Sequence, residues 1–214
     1  MEATLLQTVA PPSPTCKPRR HAVMTAAVGP LVAAVLATAV LLAAGITTGQ
    51  LNWPVYATSM ALGGVMVAAV HVRVGLSRVA LWGLVVFGVS HLAGGMVPLG
   101  DGILYQWWLI DGVVRYDNLQ HGWGFGFVGL ATWEVFRARL VPRAEDAGWV
   151  AGWVVVLAAS AFGAANEILE YLLTLTLTAT NVGGYDNTAR DLVANLVGGI
   201  VVGVWTARRV GRRP

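Results

Sequence analysis

Residues 24–48 read MTAAVGPLVAAVLATAVLLAAGITT, a stretch without a single charged side chain. About 20 apolar residues in a helix cross the hydrocarbon core of a bilayer, because each residue adds about 1.5 Å. The stretch also exceeds the ~7 to 15 apolar residues of a signal-peptide core. We therefore interpret it as a retained transmembrane helix.

The whole chain has the same apolar character. Of its 214 residues, 56% are hydrophobic and 12% are charged, and the mean hydropathy is +0.65. Soluble globular domains carry about twice that share of charge. The composition therefore predicts an all-α, polytopic transmembrane helical bundle. The only cysteine, Cys16, excludes an intrachain disulfide and a cysteine-based metal site.

Five further apolar segments of similar length follow the first, separated by charged or turn-like breaks. The six predicted spans run approximately over residues 24–48, 53–70, 79–99, 116–136, 148–173 and 188–207. They form one transmembrane domain over residues 23–210. Residues 1–22 are proline-containing and aperiodic, which predicts a disordered cytoplasmic tail, and residues 211–214 form a basic C-terminal tail.

The Lys and Arg residues predict the orientation of the bundle. All of them except Arg115 and Arg190 fall in the N-terminal tail, the second and fourth loops or the C-terminus. These regions share one side of a six-span bundle, and positively charged loops stay in the cytoplasm. Both termini are therefore predicted to be cytoplasmic, in a multi-pass protein of the cell (plasma) membrane. The net charge of +3 comes from these Lys and Arg residues, whose placement indicates membrane orientation, so it does not predict nucleic-acid binding.

Ionisable side chains occur in the last three spans, where charge facing hydrocarbon costs several kcal/mol. The set comprises Asp117 and His121 on the fourth span, Glu167 and Glu170 on the fifth, and Asp191 on the sixth. Helical rise brings all five to one level, in the extracytoplasmic third of the bilayer. We therefore predict a single polar site at the outer side of the bundle.

Other polar residues accompany this set. Those assigned to the site are Asn166, Asp186, Asn195 and His91. His91 lies roughly 18 Å into the third span by helical rise, where it either extends the site inward or is a satisfied packing residue. Thr188 is the predicted N-cap of the last helix.

Small residues at helical spacing predict which helix faces point inward. One stripe comprises Asp191, Asn195, Gly199 and Gly203, and a second comprises Gly122 and Gly126. Glycines at every fourth position allow helix backbones to approach closely in lipid. Polar groups that share such a stripe are therefore predicted to point into the bundle.

Three motifs carry a family resemblance. They are Tyr116-Asp117-Asn118-Leu119-Gln120-His121, Asn166-Glu167-Ile168-Leu169-Glu170-Tyr171, and Tyr185-Asp186-Asn187-Thr188-Ala189-Arg190-Asp191 followed by Asn195 and Gly198. Together they resemble the YjdF-like bacterial inner-membrane proteins and, more distantly, the VanZ-like family, over roughly residues 79–205. The resemblance implies a bacterial inner-membrane protein but no particular activity, because neither family has a settled biochemical function.

The first candidate function is an enzyme that acts on a lipid or lipid-linked substrate. His121 would be the general acid/base, oriented by a carboxylate, and Glu167 and Asp191 would polarise a water or bind a divalent cation. The catalytic candidates are His121, Glu167, Asp191 and Asp117. The candidate metal ligands are Asp117, His121, Glu167, Glu170 and Asp191. Such nitrogen and oxygen ligands suit Mg, Mn, Fe or Zn alike.

Two further functions stay open. A proton- or solute-coupled transporter would use the same groups as a relay, although no matching inner set continues the path. A non-enzymatic membrane protein would use them to fix helix packing or to bind lipid headgroups. The sequence does not decide the oligomeric state, since glycine stripes serve packing within one bundle and between two copies equally well.

Overall fold

A computed structural model describes residues 20–139, 148–177 and 180–211, with side chains from residue 23 onward. Within them the chain forms six long helices, one for each predicted span. They are α1 (Arg20–Thr47), α2 (Trp53–Val74), α3 (Arg78–Met96), α4 (Tyr116–Arg139), α5 (Gly148–Thr176) and α6 (Tyr185–Val210). Residues 1–19 of the predicted N-terminal tail and residues 212–214 of the C-terminal tail lie outside the described residues.

Five of these helices are long and apolar enough to cross a membrane by length and composition. The remaining helix, α4, is not apolar enough to meet this criterion among the described residues, because polar side chains interrupt its first turns. Asn118, Gln120 and His121 are nevertheless buried against the other helices. Hydropathy therefore supports five spans, and the helical bundle itself is confirmed.

Helices α4, α5 and α6 pack closely along their lengths and form what we call the glycine-packed trio. A Cβ atom added to Gly198 of α6 would collide with the backbone carbonyl of Gly122 on α4. A Cβ on Gly152 of α5 would lie 3.2 Å from the Gly203 carbonyl oxygen. These contacts confirm that the glycines allow close backbone approach.

The inward stripe of α6 is also confirmed. Its buried positions include Asn187, Asp191, Asn195, Gly199 and Gly203, which recur at intervals of four residues. Because 3.6 residues make one turn, these side chains lie on a single face of the helix. That face meets α4 and α5, so its polar groups are shielded from lipid.

Helices α1, α2 and α3 form an outer layer that packs less tightly. Helix α3 contacts α4, and α1 contacts α3, whereas α2 buries only Tyr56 and His71. Large apolar side chains are exposed on α1 and α2, such as Leu36 at 61% and Val65 at 70%. Such surfaces are unfavourable in water and typical of helices that face lipid.

The connection between α3 and α4 folds into two short hairpins that the sequence analysis did not predict. The strands are β1 (Pro98–Leu99), β2 (Gly102–Ile103), β3 (Trp108–Ile110) and β4 (Val114–Arg115), with a 3-10 turn at Leu104–Gln106. Gly100 and Gly112 form the two turns with φ of +58° and +68°, a conformation that side chains disfavour. The third helix therefore ends at Met96, three residues before the predicted limit.

Candidate functional site

The candidate site lies where α4 begins, α5 ends and α6 begins. Helix α4 begins at Tyr116, and α5 ends at Thr176. Helix α6 begins at Tyr185 after Gly184, so the prediction that Thr188 is its N-cap is wrong. The earlier start places Asn187 inside the helix, one turn before Asp191.

His121 lies between carboxylates from two helices. Its Nε2 atom is 3.6 Å from Asp117 Oδ1 and 4.0 Å from Glu170 Oε1. Its Nδ1 atom is 3.5 Å from Glu167 Oε1. The imidazole and the Glu167 side chain are only 4% and 5% exposed, so these groups interact in a medium that screens charge weakly.

Two asparagines hold the aspartates of the site. Asn118 donates to Asp191 Oδ1 at 2.8 Å, and Asn187 donates to Asp191 Oδ2 at 2.6 Å. Asn187 also donates to Asp117 Oδ2 at 3.1 Å and therefore bridges the two carboxylates. Its own carbonyl oxygen accepts from Arg115 Nη1 at 3.2 Å. This network fixes Asp117 and Asp191 from the side opposite the glutamates.

Several buried polar atoms of the site make no hydrogen bond among the described residues. They are His121 Nδ1, both carboxylate oxygens of Glu167, and both amide atoms of Asn195. Asn195 fills the space that Gly163 leaves open on α5, where a Cβ atom would overlap its side chain. Buried polar groups without partners are rare in folded proteins, so packing alone does not account for these atoms.

The cluster contains more negative than positive groups. Within residues 20–139, 148–177 and 180–211, no Lys or Arg lies within 4.0 Å of the carboxylates of Asp117, Glu167, Glu170 or Asp191. Arg115 instead stacks over the Trp108 ring at 4.3 Å, besides its bond to Asn187. Four carboxylates therefore share one imidazole and no direct cationic partner.

Asp186 does not join the cluster. It is 75% exposed and pairs with Arg190, whose Nε donates to Asp186 Oδ2 at 2.7 Å. Arg190 also donates to the carbonyl oxygens of Gly112 and Val113 and so ties the β3–β4 turn to α6. Asn166, in contrast, reaches the site by donating to Glu170 Oε1 at 2.7 Å.

The acidic groups and the imidazole could hold a metal ion in two ways. One set is Asp117, His121 and Asp191, and the other is His121, Glu167 and Glu170. In each set, one ligand atom from every residue lies within 4.8 Å of the others. Either arrangement mixes one nitrogen ligand with carboxylate oxygens.

His91 belongs to a separate network. Its Nε2 atom lies 3.1 Å from Ser59 Oγ, and its Nδ1 atom is hydrogen-bonded to the Tyr105 hydroxyl. Ser59 donates its own proton to the Tyr56 carbonyl, so Ser59 Oγ accepts from His91 Nε2–H. Burial raises the pKa of Tyr105 well above its usual range, so Tyr105 keeps its proton and donates it to Nδ1. The neutral imidazole is thus satisfied on both sides.

The sequence-based prediction did not include three residues of these two networks: Asn118 and Asn187 at the site, and Tyr105 beside His91. Asn118 and Asn187 fall within motifs that the sequence analysis quoted, and the i, i+4 spacing of Asn187 and Asp191 is a signal that could have found one of them. Tyr105 left no signal, because it lies in a connection without helical periodicity. Its ring is accommodated by Gly94 of α3, where a Cβ atom would be 2.7 Å away.

A cavity of about 590 Å³ lies between α2 and the rest of the bundle. Its polar end is formed by Asp117, Asn166, Glu170 and Asn187. From there it extends past His91 toward the opposite ends of α1 and α2, between apolar side chains such as Leu31, Leu84, Val85 and Met66. Leu31 and Met66 are 62% and 63% exposed, so the cavity is open to the surface of the outer layer.

Comparison with known proteins identifies a family and nothing more specific. No significant match was found among curated proteins or among solved structures. A family model described as "Predicted membrane protein (DUF2238)" matches residues 29–212, which include all the helices described above except the first residues of α1. The chain therefore belongs to this family of predicted membrane proteins.

Proposed function

We propose that this protein binds a lipid or lipid-linked amphiphile, with the polar head at the acidic cluster and the apolar chain in the cavity. The observation that carries the proposal is the shape and lining of the cavity. One end presents Asp117 and Glu170, and the remainder is mainly apolar over most of the length of the bundle, with Ser59, His71 and His91 as polar exceptions. Ligand sites of this kind combine a few convergent polar groups with a mainly apolar lining.

The opening of the cavity agrees with a ligand that arrives from the bilayer. Leu31 on α1 and Met66 on α2 are exposed where lipid tails would contact a membrane-embedded bundle. An apolar chain entering between them replaces lipid contacts with protein contacts at little cost.

A proton or ion pathway is less well supported. The inner part of the cavity is lined by residues such as Leu81, Leu84 and Val85, which do not hydrate or relay a charge. His71, near the far end of α2, is engaged with the Val23 carbonyl oxygen at 2.9 Å. Because relays need a continuous series of polar groups, the amphiphile explains the lining better than a transported ion does.

The same proposal includes six membrane spans with both termini in the cytoplasm of a bacterial cell, as the Lys and Arg distribution predicts. Helix α4 would cross the bilayer inside the bundle, where its polar residues face α5 and α6. That the chain is one of the YjdF-like proteins, which its three motifs resemble, is part of the same proposal. Topology can be measured in intact cells by labelling with a membrane-impermeant maleimide. Cys16 should be protected until lysis, whereas a cysteine introduced by Val113→Cys in a Cys16→Ser background should react at once.

Ligand retention can be tested by filling the cavity. A Cβ atom on Gly63 of α2 meets nothing within 4 Å, so Gly63→Phe should project its ring into open space. Val65→Phe on the same helix is the matched control, because Val65 is 70% exposed and does not line the cavity. Lipids that copurify in mild detergent are then quantified by mass spectrometry.

We expect Gly63→Phe to reduce the main retained lipid by at least about tenfold, and Val65→Phe to leave it unchanged. Glu170→Gln should alter which headgroup is retained, because it removes a charge at the polar end. Equal lipid content in all the proteins would overturn the proposal. A merely structural cluster would instead lower protein abundance in the Glu170 variant without changing the lipid profile.

A further inference from the structure

We propose that His121, Glu167 and Glu170 bind one divalent transition-metal ion, with Asp117 orienting the imidazole. This proposal concerns the cluster itself and does not depend on which molecule occupies the cavity. It starts from the atoms that have no hydrogen bond. His121 Nδ1 and both oxygens of Glu167 are buried and unpartnered within the described part of the chain.

Charge is the second argument for a cation. Four carboxylates that are 0% to 26% exposed surround one imidazole, and no Lys or Arg of the described residues pairs with any of them. Several carboxylates cannot all ionise in a buried space unless a positive charge compensates them. A divalent ion placed between His121 and the glutamates supplies that charge where the unpartnered atoms lie.

The hydrogen bonds distinguish the two possible ligand sets. Both oxygens of Asp191 already accept from Asn118 and Asn187, so this carboxylate is held by amide donors. Glu167, at the Nδ1 side of the imidazole, makes no hydrogen bond of good geometry with either oxygen among the described residues, although Thr188 and Asn166 lie close to its carboxylate. The set of His121, Glu167 and Glu170, whose ligand atoms lie within 4.8 Å of one another, is therefore favoured, because Glu167 is less committed than Asp191, although Glu170 Oε1 already accepts from Asn166.

Asp117 then takes the role of an orienting residue. Its Oδ1 atom lies 3.6 Å from His121 Nε2, and its Oδ2 atom is held by Asn187. Metal-bound histidines usually donate their second ring N–H to a carboxylate, which fixes the ring and raises its basicity. With Nδ1 3.5 Å from Glu167 and Nε2 3.6 Å from Asp117, the imidazole is oriented for this arrangement, although Nε2 is just beyond hydrogen-bond distance of Asp117.

The ligand types narrow the choice of metal. The five candidate ligands predicted from the sequence did not favour one metal, but a set of only three in which one is nitrogen suits Zn²⁺, Mn²⁺ or Fe²⁺ better than Ca²⁺ or Mg²⁺, which prefer oxygen. Three protein ligands also leave a coordination position open, as in catalytic zinc sites. Glu170 is the ligand of the set that lines the cavity, so the open position would be on that side.

Cobalt(II) is the probe of choice, because its visible absorption reports both binding and coordination. The full-length protein, purified in detergent and stripped with a chelator, is titrated with Co²⁺, and metal content is measured independently after dialysis against Zn²⁺. We expect one ion per chain. Glu167→Gln and His121→Gln should each weaken binding at least 100-fold, and Asp117→Asn about 10- to 100-fold.

Two variants serve as controls. Asp186→Asn removes an acidic side chain that pairs with Arg190 away from the cluster, so binding should stay unchanged. Asp191→Asn should weaken binding less than tenfold. Glu167→Gln keeps the size of the side chain, so it remains informative if His121→Gln does not fold, and thermal unfolding in detergent verifies each variant.

Failure of the unmodified protein to bind Co²⁺ or Zn²⁺ would overturn the proposal. The same holds if Asp191→Asn abolishes binding while Glu167→Gln does not, since the ion would then belong to the other ligand set. Binding that is equal in all variants would also overturn it.

Discussion

The glycine-packed trio and the outer layer are both built from long helices but differ in polarity and in packing, since α4 and α6 of the trio are less apolar than the outer helices. In the trio, backbones touch at pairs such as Gly122 with Gly198 and Gly152 with Gly203. In the outer layer, Gly63 and Gly64 of α2 have open space where a Cβ atom would be. Close packing leaves no room for a ligand but fixes side chains in place, whereas the looser layer leaves a cavity.

This difference explains where the polar residues lie. Association of helices in lipid has little hydrophobic driving force and depends on close contact and on hydrogen bonds between helices. Asp191 is fully buried in the trio and accepts such a bond from Asn118 of α4. The outer layer instead provides the apolar wall that faces both the bilayer and the cavity.

The largest effect is expected from Gly198→Ala. The added Cβ atom would overlap the backbone carbonyl of Gly122, so α4 and α6 must separate. We expect a loss of about 3 kcal/mol in the free energy of unfolding, at the upper end for overpacked positions. Unfolding in detergent and the amount of folded protein in membranes would measure it. An unchanged unfolding midpoint would contradict the close contact between the two helices.

Asp191→Ala should have the second largest effect. It leaves the amide groups of Asn118 and Asn187 without their acceptor in a buried site, which costs about 2 kcal/mol. Asp186→Ala, five residues earlier on the same helix, should change stability by less than about 0.5 kcal/mol, because that side chain is 75% exposed. Comparison of the two variants by unfolding in detergent tests this, and equal losses would argue against the amide network.

Tyr105→Phe tests the contact between the α3–α4 connection and α3. The variant keeps the ring in the space beside Gly94 but leaves His91 Nδ1 without its donor, so we expect a loss of about 1 kcal/mol. Faster proteolysis within residues 97–115 would report that the connection has loosened. Tyr185→Phe is the control, since Tyr185 is 88% exposed. Equal proteolysis rates in the two variants would show that the hydrogen bond does not hold the connection.

Much of the helical arrangement followed from local sequence. The starts of α4 at Tyr116 and α5 at Gly148 coincide with the predicted limits, because charged residues and glycines interrupt the apolar runs there. The inward stripe from Asp191 to Gly203 also followed from spacing alone. Such features depend on the period of one helix, which a sequence contains completely.

The contacts between elements did not follow in this way. The 3.5 Å distance between His121 Nδ1 and Glu167 Oε1 depends on the rotation of α4 about its axis relative to α5. Gly129 of α4 packs against the Val155 carbonyl of α5, and this contact restricts the rotation. The strands of the α3–α4 connection are only two or three residues long and have no periodic signal, so their formation depends on the helix ends that flank them. The cavity is likewise a property of packing, so no single segment encodes it.

The smallest effect is expected at Gly64, from the same substitution that should be most damaging at Gly198. Gly64→Ala adds a Cβ atom that meets nothing within 4 Å, and alanine favours the helix over glycine. We expect the free energy of unfolding to rise by about 0.5 kcal/mol, measured in the same detergent as for Gly198→Ala. Opposite signs for the two variants would mean that packing, and not glycine content, separates the trio from the outer layer. A large loss at Gly64 would instead mean that α2 lies closer to its neighbours than the open cavity allows.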